Sequence, residues 1–328
     1  LMCLVGFVTF FLSAILDNLT TTIVMVSLMK KLLNKREDRL FFAGMIVIAA
    51  NAGGAWTPIG DVTTTMLWIG GQVTSLEIMK GLFIPSMINL LVPLSVTAWM
   101  LRGRKVEAPP REVATGQIET TAFERQLMFF LGLGILVAVP AFKTITHLPP
   151  FLGILLGLGL LWLVGDMVHR DKVDEDKQHL TLVNALTRID MSSILFFVGI
   201  LLAVASLEHA HILKDVAQWL NDTVGRLDVI VMLIGLVSAV VDNVPLVAAS
   251  MGMYSLVDHP TDSFLWEFMA YCAGTGGSIL IIGSAAGVAA MGLEKIDFLW
   301  YMKKISLLAL LGYLGGAIFY IFEYQWMH

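Results

Sequence analysis

Twice in this chain an apolar run stops at an acid followed by an amide. Ser13-Ala14-Ile15-Leu16-Asp17-Asn18 returns as Ser238-Ala239-Val240-Val241-Asp242-Asn243, 225 residues later. Downstream, Gly53-Gly54, five residues, Gly60 and Asp61 return as Gly276-Gly277, five residues, Gly283 and Ser284, 223 residues later. Two separated matches at nearly one offset identify an internal repeat. The flanking arms Leu1–Leu16, Leu19–Met29, Leu227–Val241 and Val244–Val257 are apolar. Each is shorter than the roughly 20 residues a helix needs to cross a bilayer. Both pairs therefore read as re-entrant hairpins with polar tips inside the membrane, tolerated only where protein or a watery cavity covers them. Leu40–Ala50 resuming at Val62–Gly70, and Phe264–Ala273 resuming at Ala285–Gly292, read as transmembrane helices broken by Gly and Pro.

The rest of the chain fits a membrane setting. Apolar residues make up 57% of the 328 and charged residues 14%, against about 25% charged in soluble domains. Clean spans are expected at Leu82–Met100, Leu127–Phe142, Phe151–Val168, Met191–Leu207 and Ile305–Phe322. His211–Asp222 is amphipathic and suits the interface. Net charge is −5, which offers no basic surface to nucleic acid. Cys3 and Cys272 lie in apolar runs and read as unpaired packing residues, and no zinc spacing occurs. No signal peptide is visible.

If hairpins return to their own side, Lys and Arg divide 17 to 4 between the two sets of loops. The positive-inside rule then places Lys30–Arg39, Leu101–Arg125, His169–Arg188 and Glu294–Lys304 in the cytoplasm. The first hairpin enters from inside and the second from outside, so the repeats are inverted, as in secondary transporters. The expected fold is an all-α polytopic membrane protein. Residues 1–100 form the first repeat, 101–126 a cytoplasmic linker and 127–328 the second repeat. The second copy has three spans before its hairpin and the first has almost nothing. That imbalance, with no initiating Met, leads us to expect about 100 further residues before Leu1.

A carboxylate inside the membrane is functional by default. Asp17 and Asp242 end the first hairpin arms, where the helix C-terminus disfavours an acid unless a cation or proton joins it. The competing role is capping of the next arm, which suits Asn18 and Asn243 better than the acids. Asp61 opens a half-helix, so it is either an N-cap, as Ser284 would be in the second copy, or a third carboxylate at the cavity. Thr20, Thr21, Thr63 and Thr64 can offer hydroxyl oxygens, or bond back to their own helix. Asn51 and Ser278 sit at the breaks and can ligate through oxygen. Asp190 and Glu208 bound a span and suit the interface, and His209 and His211 read as anchors there. The set is oxygen only, which hard cations prefer.

Leu16-Asp17-Asn18-Leu19-Thr20-Thr21, Asn51-Ala52-Gly53-Gly54, Thr57-Pro58-Ile59-Gly60-Asp61, Ser238 through Pro245 and Gly274 through Ser284 together resemble the NhaD-type sodium/proton antiporters of the ion transporter superfamily. The resemblance covers nearly all of the chain. It implies exchange of cytoplasmic Na⁺ or Li⁺ for external protons, with no cofactor. The expected binding residues are Asp17, Asn18, Asn51, Asp61, Thr63, Thr64, Ser238, Asp242, Asn243, Ser278 and Ser284. The transported Na⁺ or Li⁺ is expected at Asp17, Asn18, Asp242 and Asn243. Expected partners are the lipid bilayer, monovalent cations and protons, and not nucleic acid; a homodimer is compatible with the sequence. The membrane would be a bacterial inner membrane or an equivalent organelle membrane. Carboxylate carriers of the superfamily carry Ser-Asn-Thr at each hairpin tip; an acid at the Ser position here repels an anion and attracts a cation.

Two rivals remain. A dicarboxylate or other anion carrier of the same fold would need a basic or amide-rich site, and no Lys or Arg lies within the four motif segments. An intramembrane aspartyl protease would carry Gly-x-Gly-Asp, whereas Pro58-Ile59-Gly60-Asp61 has Pro at the first position. A protease would also leave the duplicated hairpins unexplained.

Overall fold

The computed structural model describes residues 1–100, 102, 121–146, 148–168, 170, 184, 186–187 and 191–327. The expected loops Leu101–Arg125 and His169–Arg188, and Asp190, fall largely or wholly outside these residues. Every described element is a helix. In chain order they are α1 (Met2–Leu16), α2 (Asn18–Leu32), α3 (Arg36–Ala55), α4 (Val62–Ile69), α5 (Ser75–Met100), α6 (Ala122–Thr146), α7 (Pro150–Val168) and α8 (Met191–His209). There follow α9 (Ile212–Val224), α10 (Leu227–Val237), α11 (Asn243–Met253), α12 (Phe264–Gly276), α13 (Ala285–Glu294), α14 (Phe298–Lys304) and α15 (Ser306–Met327).

Four of the five expected clean spans lie within α5, α6, α7 and α8, and the fifth lies in α15 from Ser306 onward. Four of these, α5, α6, α7 and α15, are long and apolar enough to cross a bilayer. The chain forms two compact units, Leu1–Pro109 with Leu201–His328, and Pro110–Ile200. In the second unit α6 and α7 pack on each other. Only Val139 of α6, and Pro150 and Gly157 of α7, are buried. Two helices that turn Phe129, Phe130, Leu155, Leu156 and Leu163 outward face hydrocarbon, because water would not tolerate so large an apolar surface. The protein is an integral membrane protein.

The other unit is organised around α3 and α12. From Phe42 to Ala55 and from Leu265 to Gly276 every residue is buried. Helices apolar all round belong in a core, and these two pack on each other. α1 and α2 cover α3, as α10 and α11 cover α12. The half-helices then cross over: α4 packs on α11 and α12, while α13 packs on α2 and α3. The paired long helices α5 and α15 pack together.

Several boundaries differ from those expected. The helix of Leu40–Ala50 continues to Ala55, so Asn51 lies inside α3 and the break is Trp56–Asp61. Likewise α12 continues to Gly276. The glycines were read as breakers, but at Gly53 and Gly276 they are packing residues. A Cβ at Gly53 would collide with the carbonyl oxygen of Phe10, and one at Gly276 with that of Gly235. Small residues of this kind let backbones touch within a membrane. The arm Leu227–Val241 is helical only to Val237, and Val244–Val257 only to Met253. The stretch Glu294–Lys304, expected as a loop, contains α14, whose N-terminus is capped by Asp297 accepting from Trp300 N at 3.0 Å. Cys272 is buried as expected, whereas Cys3 is exposed on α1.

Candidate functional site

The residue between α1 and α2 is Asp17, with φ 74° and ψ 161°. That region is essentially reserved for glycine, and a non-glycine held there marks strain of the kind found at functional sites. The Asp17 carboxylate accepts from Thr20 N and from Thr20 Oγ1, both at 2.8 Å. It caps α2, so the N-terminus of α2 offsets the unfavourable C-terminus of α1. This corrects the expectation that Asn18 would cap. Asn18 is the first residue of α2, only 4% exposed, and its amide is free to point inward.

Asn18 Nδ2 donates to Asp61 Oδ2 at 2.7 Å and to Asn51 Oδ1 at 3.0 Å. From the N-terminus of α11, Asn243 Nδ2 reaches the same Asp61 Oδ2 at 3.4 Å. The two tip amides, 225 positions apart, thus converge on one carboxylate oxygen. The opposite oxygen, Oδ1, accepts from Thr63 N at 3.0 Å and caps α4. The N-cap reading of Asp61 is thus realised through Oδ1, while Oδ2 receives the two amides. Asp61 is 2% exposed and lies within Coulombic reach of Asp242 and Asp17.

Asn51 joins the halves. While its Oδ1 accepts from Asn18, its Nδ2 donates to Ser284 Oγ at 3.0 Å. Ser284 in turn accepts from Gly287 N at 3.2 Å and caps α13, as Asp61 caps α4. Asp242 differs from its counterpart Asp17. Its side chain caps nothing, and its Oδ1 is buried without a partner.

The hydroxyls divide into used and unused. Thr64 Oγ1 bonds back to Asp61 O at 2.9 Å, and Ser278 Oγ to Thr275 O at 2.7 Å. Ser238 Oγ bonds to Gly235 O at 2.7 Å and to Ala273 O at 3.2 Å, matching Ser13 Oγ on Ala50 O at 2.6 Å in the first half. Ser238 and Ser278 tie backbone together, and among the described residues no hydrogen bond joins their hydroxyls to Asp61. Thr63 Oγ1 and Thr21 Oγ1, by contrast, are buried with no partner. Thr63 Oγ1 lies beside the Asp61 carboxylate. Among the described residues no cluster of His, Cys, Asp and Glu has the arrangement of a resident metal site. Glu208 and His211 line a separate open cavity of about 900 Å³ against α9 and α11, together with Lys214, Tyr254 and His259.

The model of the citrate transporter family, CitMHS, matches residues 1–274. The chain is 54% identical over 321 residues to sodium/proton antiporter 1 of Arabidopsis thaliana, covering 98% of this chain and 55% of that protein. It is 49% identical over 323 residues to sodium/proton antiporter 2 of the same plant, covering 98% and 76%. The Na⁺/H⁺ antiporter NhaD of Alkalimonas amylolytica is 32% identical over 355 residues, covering 97% and 70%. The chain belongs to the NhaD-type sodium/proton antiporter family. It spans about half the length of the first of these relatives. The family model and these relatives all carry the names of transporters or antiporters.

Sequence reasoning missed that Asp61 Oδ2 is the point of convergence and that Asn51 reaches across to Ser284. The signal lay in the mismatch between the copies. Asn51 and Asp61 stand where the second copy has Gly274 and Ser284.

Proposed function

We propose that this protein exchanges Na⁺ or Li⁺ for protons, with Asp17, Asp61 and Asp242 holding cation or proton in competition. One observation carries the reading. The amides of Asn18 and Asn243, each next in sequence to an acid, Asp17 and Asp242, both meet the buried Asp61 carboxylate, and no Lys or Arg lies in the motif segments. Like charges in a low-dielectric interior cannot all stay ionised and bare. The site therefore needs positive charge from outside, as a proton or as a small cation with oxygen ligands. The names of the antiporter relatives support the same exchange.

The proposed ligands are Asp17, Asn18, Asn51, Asp61, Thr63, Thr64, Asp242, Asn243 and Ser284, with Thr21 added for its unused hydroxyl. Ser238 and Ser278 keep a supporting role. The proposed architecture is a pair of inverted repeats, residues 1–100 and 127–328, joined by a linker at 101–126. Its support is the crossed packing of α4 on α11 and α13 on α2, and the paired bonds of Ser13 and Ser238. In this architecture α1 with α2, and α10 with α11, are re-entrant hairpins. The empty triply charged site is the least stable state and the least able to change sides, which couples the two fluxes without contact between the ions.

A carboxylate carrier is the reading favoured by the citrate transporter family match. The same three acids oppose it, since an anion entering here would meet only repulsion. The test is transport by the full-length protein in vesicles. An imposed Na⁺ gradient should drive protons the opposite way. Uptake of citrate or a dicarboxylate, without sodium-driven proton movement, would overturn the reading.

A further inference from the structure

The half-helix α13 is held at both ends by residues from the first half of the chain. At its N-terminus Asn51 Nδ2 donates to the capping Ser284 Oγ at 3.0 Å. At its far end, about 15 Å away along the axis, three cations gather on the last turn. Lys30 Nζ donates to Leu293 O, and Arg36 Nη2 to Lys295 O at 3.2 Å. Arg39 Nε pairs with Glu294 Oε2 at 3.2 Å. The same guanidinium also donates through Nη1 to Asn34 O at 2.8 Å and to Leu33 O at 3.3 Å, in the turn between α2 and α3. The Glu294 side chain is 3% exposed and that of Arg39 23%, so the pair is shielded far more than a surface bridge. Cations at a helix C-terminus satisfy its orphan carbonyls and complement its dipole.

These contacts span three elements. Arg39 stands in the first turn of α3, and Asn51 stands twelve residues on in the same buried helix. Helix α3 and helix α13 therefore form two rails joined at each end, by Asn51–Ser284 at the site and by Arg39–Glu294 at the remote end. Such a frame fixes the register of α13 along α3, and with it the position of Ser284 Oγ. Asn51 can present its Oδ1 to Asn18 in a fixed orientation only while Ser284 accepts from its Nδ2. A slip of α13 would release Asn51, then Asn18, and then one donor to Asp61.

We infer that Arg39 and Glu294 are positioning residues for the cation site, acting through α13 on Ser284 and Asn51. This rests on the exchange activity proposed above. The test uses the full-length protein with Glu294→Gln, Arg39→Gln and the charge-exchanged double variant Arg39→Glu/Glu294→Arg. Sodium-dependent proton movement is measured in vesicles, and amide hydrogen exchange is followed over residues 285–294. Each single variant should raise the Na⁺ concentration for half-maximal exchange by roughly fivefold, with the maximal rate per folded protein kept. Amide exchange across α13 should speed up, and the double variant should recover both. An unchanged sodium requirement with faster amide exchange would make the pair a stability feature only, and would overturn the inference. So would a raised requirement that the double variant does not lower. If the unmodified protein moved no protons with sodium, the functional reading would fail first, while unchanged amide exchange in the single variants would still separately refute the frame.

Discussion

The two breaks in this fold are built alike and equipped differently. At both, a glycine touches the carbonyl of the opposing first arm, at Phe10 and at Gly235. A side chain then caps the half-helix beyond, Asp61 for α4 and Ser284 for α13. Yet Asp61 can carry a charge and Ser284 cannot, and Asn51 has a counterpart with no side chain at all, Gly274. Backbone geometry is duplicated while chemistry is concentrated in the first break. Duplication supplies two half-helix N-termini and two tip amides; only one carboxylate oxygen receives both amides.

Asp61→Asn should have the largest effect. Asparagine can still cap α4, so the protein should fold, but exchange should drop on the order of a hundredfold or more, the scale seen when a proton-carrying group is lost. Ser284→Ala removes a cap worth about 1 kcal/mol and should weaken sodium binding without abolishing exchange. Equal losses in the two variants, measured as sodium-driven proton flux, would break the asymmetry.

Gly53→Ala and Gly276→Ala probe what the halves share. Each forces a methyl group into an opposing backbone, so each should destabilise by about 1–3 kcal/mol. Thermal unfolding in detergent should show similar shifts for both. A shift at one site only would mean that the breaks are not structural equivalents.

The hairpin tips sharpen the contrast. Asp17 caps α2 through Thr20, whereas the Asp242 side chain caps nothing. Asp17→Ala should cost about 1 kcal/mol of stability from the lost cap, and Asp242→Ala should cost less. Both should impair exchange. The smallest effect is expected for Glu208→Gln, whose side chain lines the open cavity beside α9; its exchange rate should stay within about twofold of the unmodified protein, as for a surface change.

Much of this was legible in the sequence. Polar residues cut into apolar runs marked where α1 meets α2, where α10 gives way to α11, and where α3 and α12 stop, because the membrane makes each such residue costly. The extent of α3 and α12 was not legible, since Gly53 and Gly276 look like breakers until the opposing Phe10 and Gly235 backbones are seen. The capping role of Asp17 depended on a positive φ that side-chain type does not reveal. The bonds of Asn18 to Asp61 and of Asn51 to Ser284 link residues 43 and 233 apart. Those pairings are set by how the halves cross over, and local pattern carries no record of them.

The central claim is that sodium and protons compete for the three carboxylates. It is tested most directly by adding NaCl to the purified full-length protein in a weakly buffered solution and recording the protons released, with choline chloride as control. Protonation and cation binding exclude each other on a shared carboxylate, so sodium should displace protons at acidic pH. Release should fade as pH rises and the carboxylates lose their protons beforehand. The Asp17→Asn/Asp61→Asn/Asp242→Asn variant should release none. Undiminished sodium-dependent proton release from that variant would contradict the account.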